Sequence, residues 1–105
     1  MKFLSVGEFE RLLLKLSPNE IIITSNNQSE VSESGIKCSI TFDSIAIHLN
    51  PNSIFLKSQN DSYIKFDRVK HIKKRENSLL GNVFDIICSG FVEPDKEFLY
   101  TIIVR

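Results

Sequence analysis

Catalysis in a small chain needs a nucleophile beside a base, paired carboxylates, a glycine-rich phosphate cradle or clustered metal ligands, and this sequence has few carriers for any of them. Histidine occurs twice: His48, in "IAIHL", alternates outward beside Ile47 and Leu49, and His71 lies within "VKHIKKRE". Neither has a ligand-type partner at a useful spacing, so both read as surface histidines. Gly7, Gly35, Gly81 and Gly90 are scattered as turn or bulge residues rather than gathered around a phosphate. Asp43, Asp67 and Asp85 could meet only through folding. No catalytic residue, metal site or cofactor is expected.

Binding chemistry is better represented. Residues 65–75 hold six cations, Lys65, Arg68, Lys70, Lys73, Lys74 and Arg75, with Tyr63, Phe66, Val69 and Ile72 between or beside them. Cations and rings together are what a single-stranded nucleic acid needs, phosphate neutralisation and base stacking. Strand alternation divides the set: Lys65, His71, Lys73 and Arg75 point one way, Arg68, Lys70 and Lys74 the other. Each face then offers about three phosphate contacts and a salt slope of roughly −2 to −3. Tyr63 and Phe66 also fall on opposite faces. A bend near Asp67 and Arg68 would carry Phe66, Val69 and Ile72 all inward and leave the lysines as the protected edge of a sheet.

A second surface is "ENSLLGN", where Leu79 and Leu80 stand side by side in a polar turn. They either fold back onto Leu12 and Leu16 or serve as an apolar anchor for a partner. The polar segment 26–35, "NNQSEVSESG", is long enough to order itself on binding, and Glu30 and Glu33 could meet a basic partner.

The elements that must position these groups are legible from periodicity. Ser5 and Glu8 form a capping box, Val6, Phe9, Leu12, Leu13 and Leu16 recur at helical spacing, and Pro18 forbids continuation. A helix is therefore expected over about 6–16. The region 20–105 reads as short strands: "EIIITS", then "IKCSITF" with apolar residues at even positions and "IAIHL" at odd ones. That phase switch at Asp43 and Ser44 means a tight turn or a bulge bending one long strand. "IFLK", "SYIKF", "VKHIKKRE", "VFDIICSGF" and "FLYTIIVR" follow, separated by the turns "NPNS", "QND", "NSLLGN" and "VEPDKE".

The chain of 105 residues is one domain, with 42% hydrophobic and 25% charged residues. Thirteen basic residues balance thirteen acidic ones, which leaves no long-range field to attract a polyanion or an acidic membrane. Cys38 and Cys88 both fall in apolar phase and read as small buried hydrophobes in a reducing compartment; a bridge between them requires neighbouring strands. Glu8, Glu10, Arg11 and Lys15 interrupt any signal-like run at the N-terminus, no apolar stretch is long enough for a membrane helix, and a cytoplasmic address follows. Heavy use of Ile, Lys, Asn and Ser, with Ala46 the only alanine, fits AT-rich coding in a low-GC microbe or a mobile element.

The expected fold is α+β: one N-terminal helix packed on a mainly antiparallel, strongly bent meander or small barrel of six to eight strands. In architecture this resembles Sm-like, SH3-like or pleckstrin-like barrels, which serve both RNA and protein binding. The function expected is a non-enzymatic binding module that occupies a protein partner, in the manner of the inhibitors and immunity-type proteins of phages and mobile elements. Leu79, Leu80, Glu30 and Glu33 are its candidate contacts. The alternative is a small β-barrel that binds RNA or single-stranded DNA through Lys65, Lys70, Lys73, Lys74 and Arg75.

Overall fold

The computed structural model describes residues 2–26, 37–76 and 81–105. Its helix is the one the periodicity predicts, α1 (Val6–Leu16). The Ser5 hydroxyl accepts from the Glu8 amide at 3.1 Å, and the Glu8 carboxylate accepts from the Ser5 amide at 3.3 Å. Such a cap is worth about 1 kcal/mol. At the other end Ser17 takes a left-handed conformation and donates its N–H to the Leu14 carbonyl, so the helix is already closed before Pro18. Phe9 and Leu13 are fully buried, and the Phe9 ring meets Phe84 edge-to-face at 5.2 Å.

Among the described residues, eight antiparallel strands make one sheet: β1 (Lys2–Leu4), β2 (Glu20–Asn26), β3 (Lys37–Leu49), β4 (Asn52–Ser58), β5 (Tyr63–Phe66), β6 (Val69–Arg75), β7 (Asn82–Ser89) and β8 (Glu97–Val104). Their spatial order is β1-β6-β7-β8-β2-β3-β4-β5. The sheet is strongly bent without closing into a barrel, because β1 and β5 each have a single neighbour. It nevertheless curls back on itself. β5 ends one edge and β6 lies next to the other, yet only Asp67 and Arg68 separate them in the chain. The Phe66 ring of β5 accordingly reaches Tyr100 of β8 across the interior, at 5.3 Å.

Two irregularities produce the curl. In β3 the register with β4 shifts between Phe42 and Ser44, so the phase switch read in the sequence is a bulge at Asp43 and not a turn. It rotates the inward set from Ile40 and Phe42 to Ile45 and Ile47 within one continuous strand. At the β5–β6 corner Arg68 adopts φ 54°, and Phe66, Val69 and Ile72 are all buried, as the expected bend requires. The core they join includes Phe9, Leu13, Ile21, Ile23, Ile54, Leu56, Phe84, Ile86 and Ile102. It lies on the inner face of the sheet, under the helix.

Two expectations are corrected, and the open question of a disulfide is answered. β6 is not an edge strand: β1 pairs with it through Leu4↔Ile72, Phe3↔Lys73 and Lys2↔Lys74, and a three-residue strand is too short to announce itself by alternation. Cys38 has the inward phase, opposite Ile23, but is exposed, because phase sets the direction of a side chain and not what covers it. A bridge to Cys88 is excluded by topology, because β8 and β2 stand between β7 and β3, and both thiols are free.

Candidate functional site

Among the described residues, the outer face of β3, β4 and β5 carries the longest run of neighbouring rings at the surface. Alternation sends Ile45, Ile47, Ile54, Leu56, Ile64 and Phe66 inward, and therefore sends Ser44, Ala46, His48, Phe55, Lys57, Tyr63 and Lys65 outward. The register Ala46↔Phe55, Lys57↔Tyr63 and Phe55↔Lys65 places His48, Phe55 and Tyr63 on a diagonal, one ring per strand. Their centroids are 4.9 Å apart for His48 and Phe55 and 5.9 Å for Phe55 and Tyr63. Tyr63 is 64% exposed.

Because Ser44 and Ala46 are small, the β3 side of this face is hollow. The hollow measures about 300 Å³ and is lined by Ser44, Ala46, His48, Phe55, Lys57, Asp61 and Tyr63. At its rim the Lys57 ammonium pairs with Asp61 at 3.5 Å. Just beyond it the Lys65 ammonium stands 5.2 Å over the Phe55 ring and 3.1 Å from Asp67. Asp67 also accepts from the buried Ser53 hydroxyl at 2.8 Å; that bond, followed by Lys65, holds its carboxyl below the ordinary value. Ser53 thus directs its proton to a carboxylate, with no imidazole between them of the kind an activated serine needs.

The basic stretch does not form one surface. Lys65 belongs to the ring-bearing face, whereas Lys70 is the bulge residue of β6 and pairs with Glu97 at 2.9 Å, which lowers the Glu97 pKa. The Lys73 ammonium lies 5.1 Å from the Phe3 ring, and Arg68 stacks on Phe91 at 4.6 Å. Lys74 is half-buried, on the same side of its strand as Ile72. Arg75 grips Asp85 in bidentate fashion, Nε to Oδ2 at 2.7 Å and a terminal nitrogen to Oδ1 at 2.9 Å, and Thr101 donates to Oδ1 at 2.8 Å. The bond to Asp85 raises the Arg75 pKa. Of the five residues in the nucleic-acid reading, Lys65, Lys70 and Arg75 therefore have carboxylate partners.

Leu79, Leu80, Glu30 and Glu33 lie outside the described residues. Asp43, Asp67 and Asp85 do not form a common site: Asp43 sits exposed at the β3 bulge, and the other two have the separate partners given above. Among the described residues no group of three or more His, Cys, Asp or Glu side chains could hold a metal ion. No described helix is long and apolar enough to cross a membrane.

Sequence reasoning missed two features. Phe55 and Tyr63 were separable from the core by strand phase, but the diagonal with His48 needs the register. Phe91 and Val92, at the β7–β8 hairpin, are 79% and 87% exposed, although "GF" reads as the end of a strand. Their loop is held in shape: the Gly90 N–H donates to the Lys96 carbonyl at 2.8 Å, and the Lys96 N–H to the Glu93 carbonyl at 3.0 Å.

No known protein family, curated protein or solved structure matches this chain.

Proposed function

We propose that this chain is a non-enzymatic binding module that acts by contact with a protein partner, and that its contact surface is the outer face of β3–β4–β5. The observation that carries this reading is the contrast between engaged cations and exposed rings. Lys65, Lys70 and Arg75 face carboxylates of their own chain, while Tyr63, with Phe55 and His48 behind it, faces solvent. A phosphate backbone would have to compete with those carboxylates on a protein of zero net charge. A protein surface needs no such exchange, and aromatic side chains are enriched among the residues that dominate protein interfaces.

The test is a tagged capture from source-cell lysate at low salt, divided into nuclease-treated and untreated halves. It uses the native chain, a Phe55→Ser, Tyr63→Ser variant and a Lys73→Glu, Lys74→Glu variant, each checked for folding. One protein retained in both halves, lost from the ring variant and kept by the lysine variant is the expected result. Retention that disappears with nuclease and with the lysine reversal would overturn the reading in favour of nucleic acid.

A further inference from the structure

From the hollow above Ser44 and Ala46 we infer a socket for one neutral aromatic side chain of the partner, with tryptophan the best fit. This deepens the protein-binding reading and rests on it.

The floor is the first argument. Ala46 is the only alanine in the chain; it stands between Ile45 and Ile47 and shares its face of the strand with the similarly small Ser44. On the outer face any bulkier side chain at this position would fill the space that Phe55, His48 and Tyr63 surround. The walls are the second. The His48–Phe55 pair is edge-to-face, with interplanar angle 75°, and the Phe55–Tyr63 pair is tilted by 48°. The three rings are therefore not coplanar, and a guest ring can settle edge-to-face or offset-stacked against one of them, the arrangements aromatic groups prefer. A volume of about 300 Å³ is at the small end of ligand clefts, enough for one ring system and its stem.

Charge selects among planar guests. Lys57 and Lys65 oppose a guanidinium, and Asp61 and Asp67 oppose a phosphate. The four groups form two ion pairs and leave the rim with no net charge, which matches a neutral guest. Asp61, whose side chain is 91% exposed, retains acceptor capacity beside Lys57 and can take a hydrogen bond from an indole N–H or a phenol O–H. Tryptophan and tyrosine are also the side chains that most often anchor protein interfaces.

The chain contains no tryptophan, so indole emission carries no protein background, and Tyr63 is one of two tyrosines. The probe is N-acetyl-tryptophanamide, titrated against the full chain and followed by its emission and by backbone amide shifts. Parallel arms use N-acetyl-argininamide and adenosine monophosphate. Saturable shifts centred on Ser44, Ala46, His48 and Tyr63, with a dissociation constant of about 1–10 mM, are expected for an isolated side chain in a shallow site. Ala46→Leu, on an exposed strand face, should weaken the indole at least tenfold while the fold persists, and Tyr63→Ala should weaken it independently. Tighter binding of either charged probe at these amides, or unchanged indole affinity in Ala46→Leu, would overturn the inference. In the capture experiment a partner held equally by native chain and Ala46→Leu would sink the socket and spare the protein-binding reading. A native chain that retains no protein would sink that reading, and the titration judges the socket by itself.

Discussion

Arg75 offers the sharpest test of whether the basic stretch is grip or framework. Its guanidinium makes two bonds of 2.7 and 2.9 Å to a carboxylate that is only 8% exposed, and Thr101 supplies a third at 2.8 Å. Truncation to Arg75→Ala strands the Asp85 charge with one neutral donor. For a wholly buried pair that loss costs about 3–5 kcal/mol, and for an exposed one about 0.2–1 kcal/mol. Arg75 is 43% exposed, so water screens its side of the pair and the cost falls between these limits, at about 2 kcal/mol. Asp85→Ala should cost a similar amount. In the double variant no charge is stranded, and the loss should be about 2–3 kcal/mol in total, which leaves a coupling energy of about 1–2 kcal/mol. Urea unfolding of the four chains measures it, with melting points expected to move about 4–8 °C per kcal/mol. Because one partner is buried, most of the coupling should survive at about 1 M salt. A coupling below about 0.3 kcal/mol, or one abolished by salt, would show that the pair holds nothing and that Arg75 is free to meet a ligand.

The two thiols should behave oppositely. Burial, followed by the Asp67 charge, pushes Cys88 up to about 11, so near pH 8 its thiolate is roughly a hundredfold scarcer than that of an ordinary cysteine. Iodoacetamide followed by mass spectrometry should label exposed Cys38 first, and equal labelling in the native state would contradict the burial. The same shift predicts stability that is complete below about pH 8.5 and lost as pH rises towards 11, because the folded state keeps a proton the unfolded chain has released. The loss should be about 2–3 kcal/mol, read as the difference in unfolding free energy against Cys88→Ala. Gly90→Ala should be destabilising by about 1–3 kcal/mol, since a Cβ there would stand 2.5 Å from the Glu93 carbonyl oxygen. Amide shifts confined to 90–96 would locate the damage in the hairpin, and an unaltered unfolding midpoint would refute the close approach.

Local signals carried the helix and most of the strands. Ser5 with Glu8 and the stripe through Phe9 and Leu13 define α1 to the residue, because capping and 3.6-residue periodicity are written within one short segment. The opposite phases of "IKCSITF" and "IAIHL" marked an irregularity at Asp43 and Ser44, a tight turn or a bulge, which the register with β4 resolves as a bulge, and the irregular spacing of Phe66, Val69 and Ile72 pointed to the corner at Arg68. β1 escaped because three residues carry no period, and the exposure of Cys38 escaped because phase says which way a side chain points but not whether anything covers it.

The candidate site was less legible for a reason of geometry. Each of His48, Phe55 and Tyr63 could be assigned outward from its own strand, but a site exists only if three outward residues fall on one diagonal. That depends on two pairings, β3 with β4 and β4 with β5, each fixed by turn length. A slip of two residues in the direction that lengthens the diagonal would keep every side chain on its face and carry the rings about 7 Å further apart along the strand. Charge is subject to the same limit. The six cations of 65–75 are contiguous in the chain, but Glu97 and Asp85, which meet Lys70 and Arg75, come from other strands. A run of lysines therefore overstates the field at a surface whenever antiparallel neighbours bring carboxylates beside it, and a sparse set of rings understates a surface that register assembles.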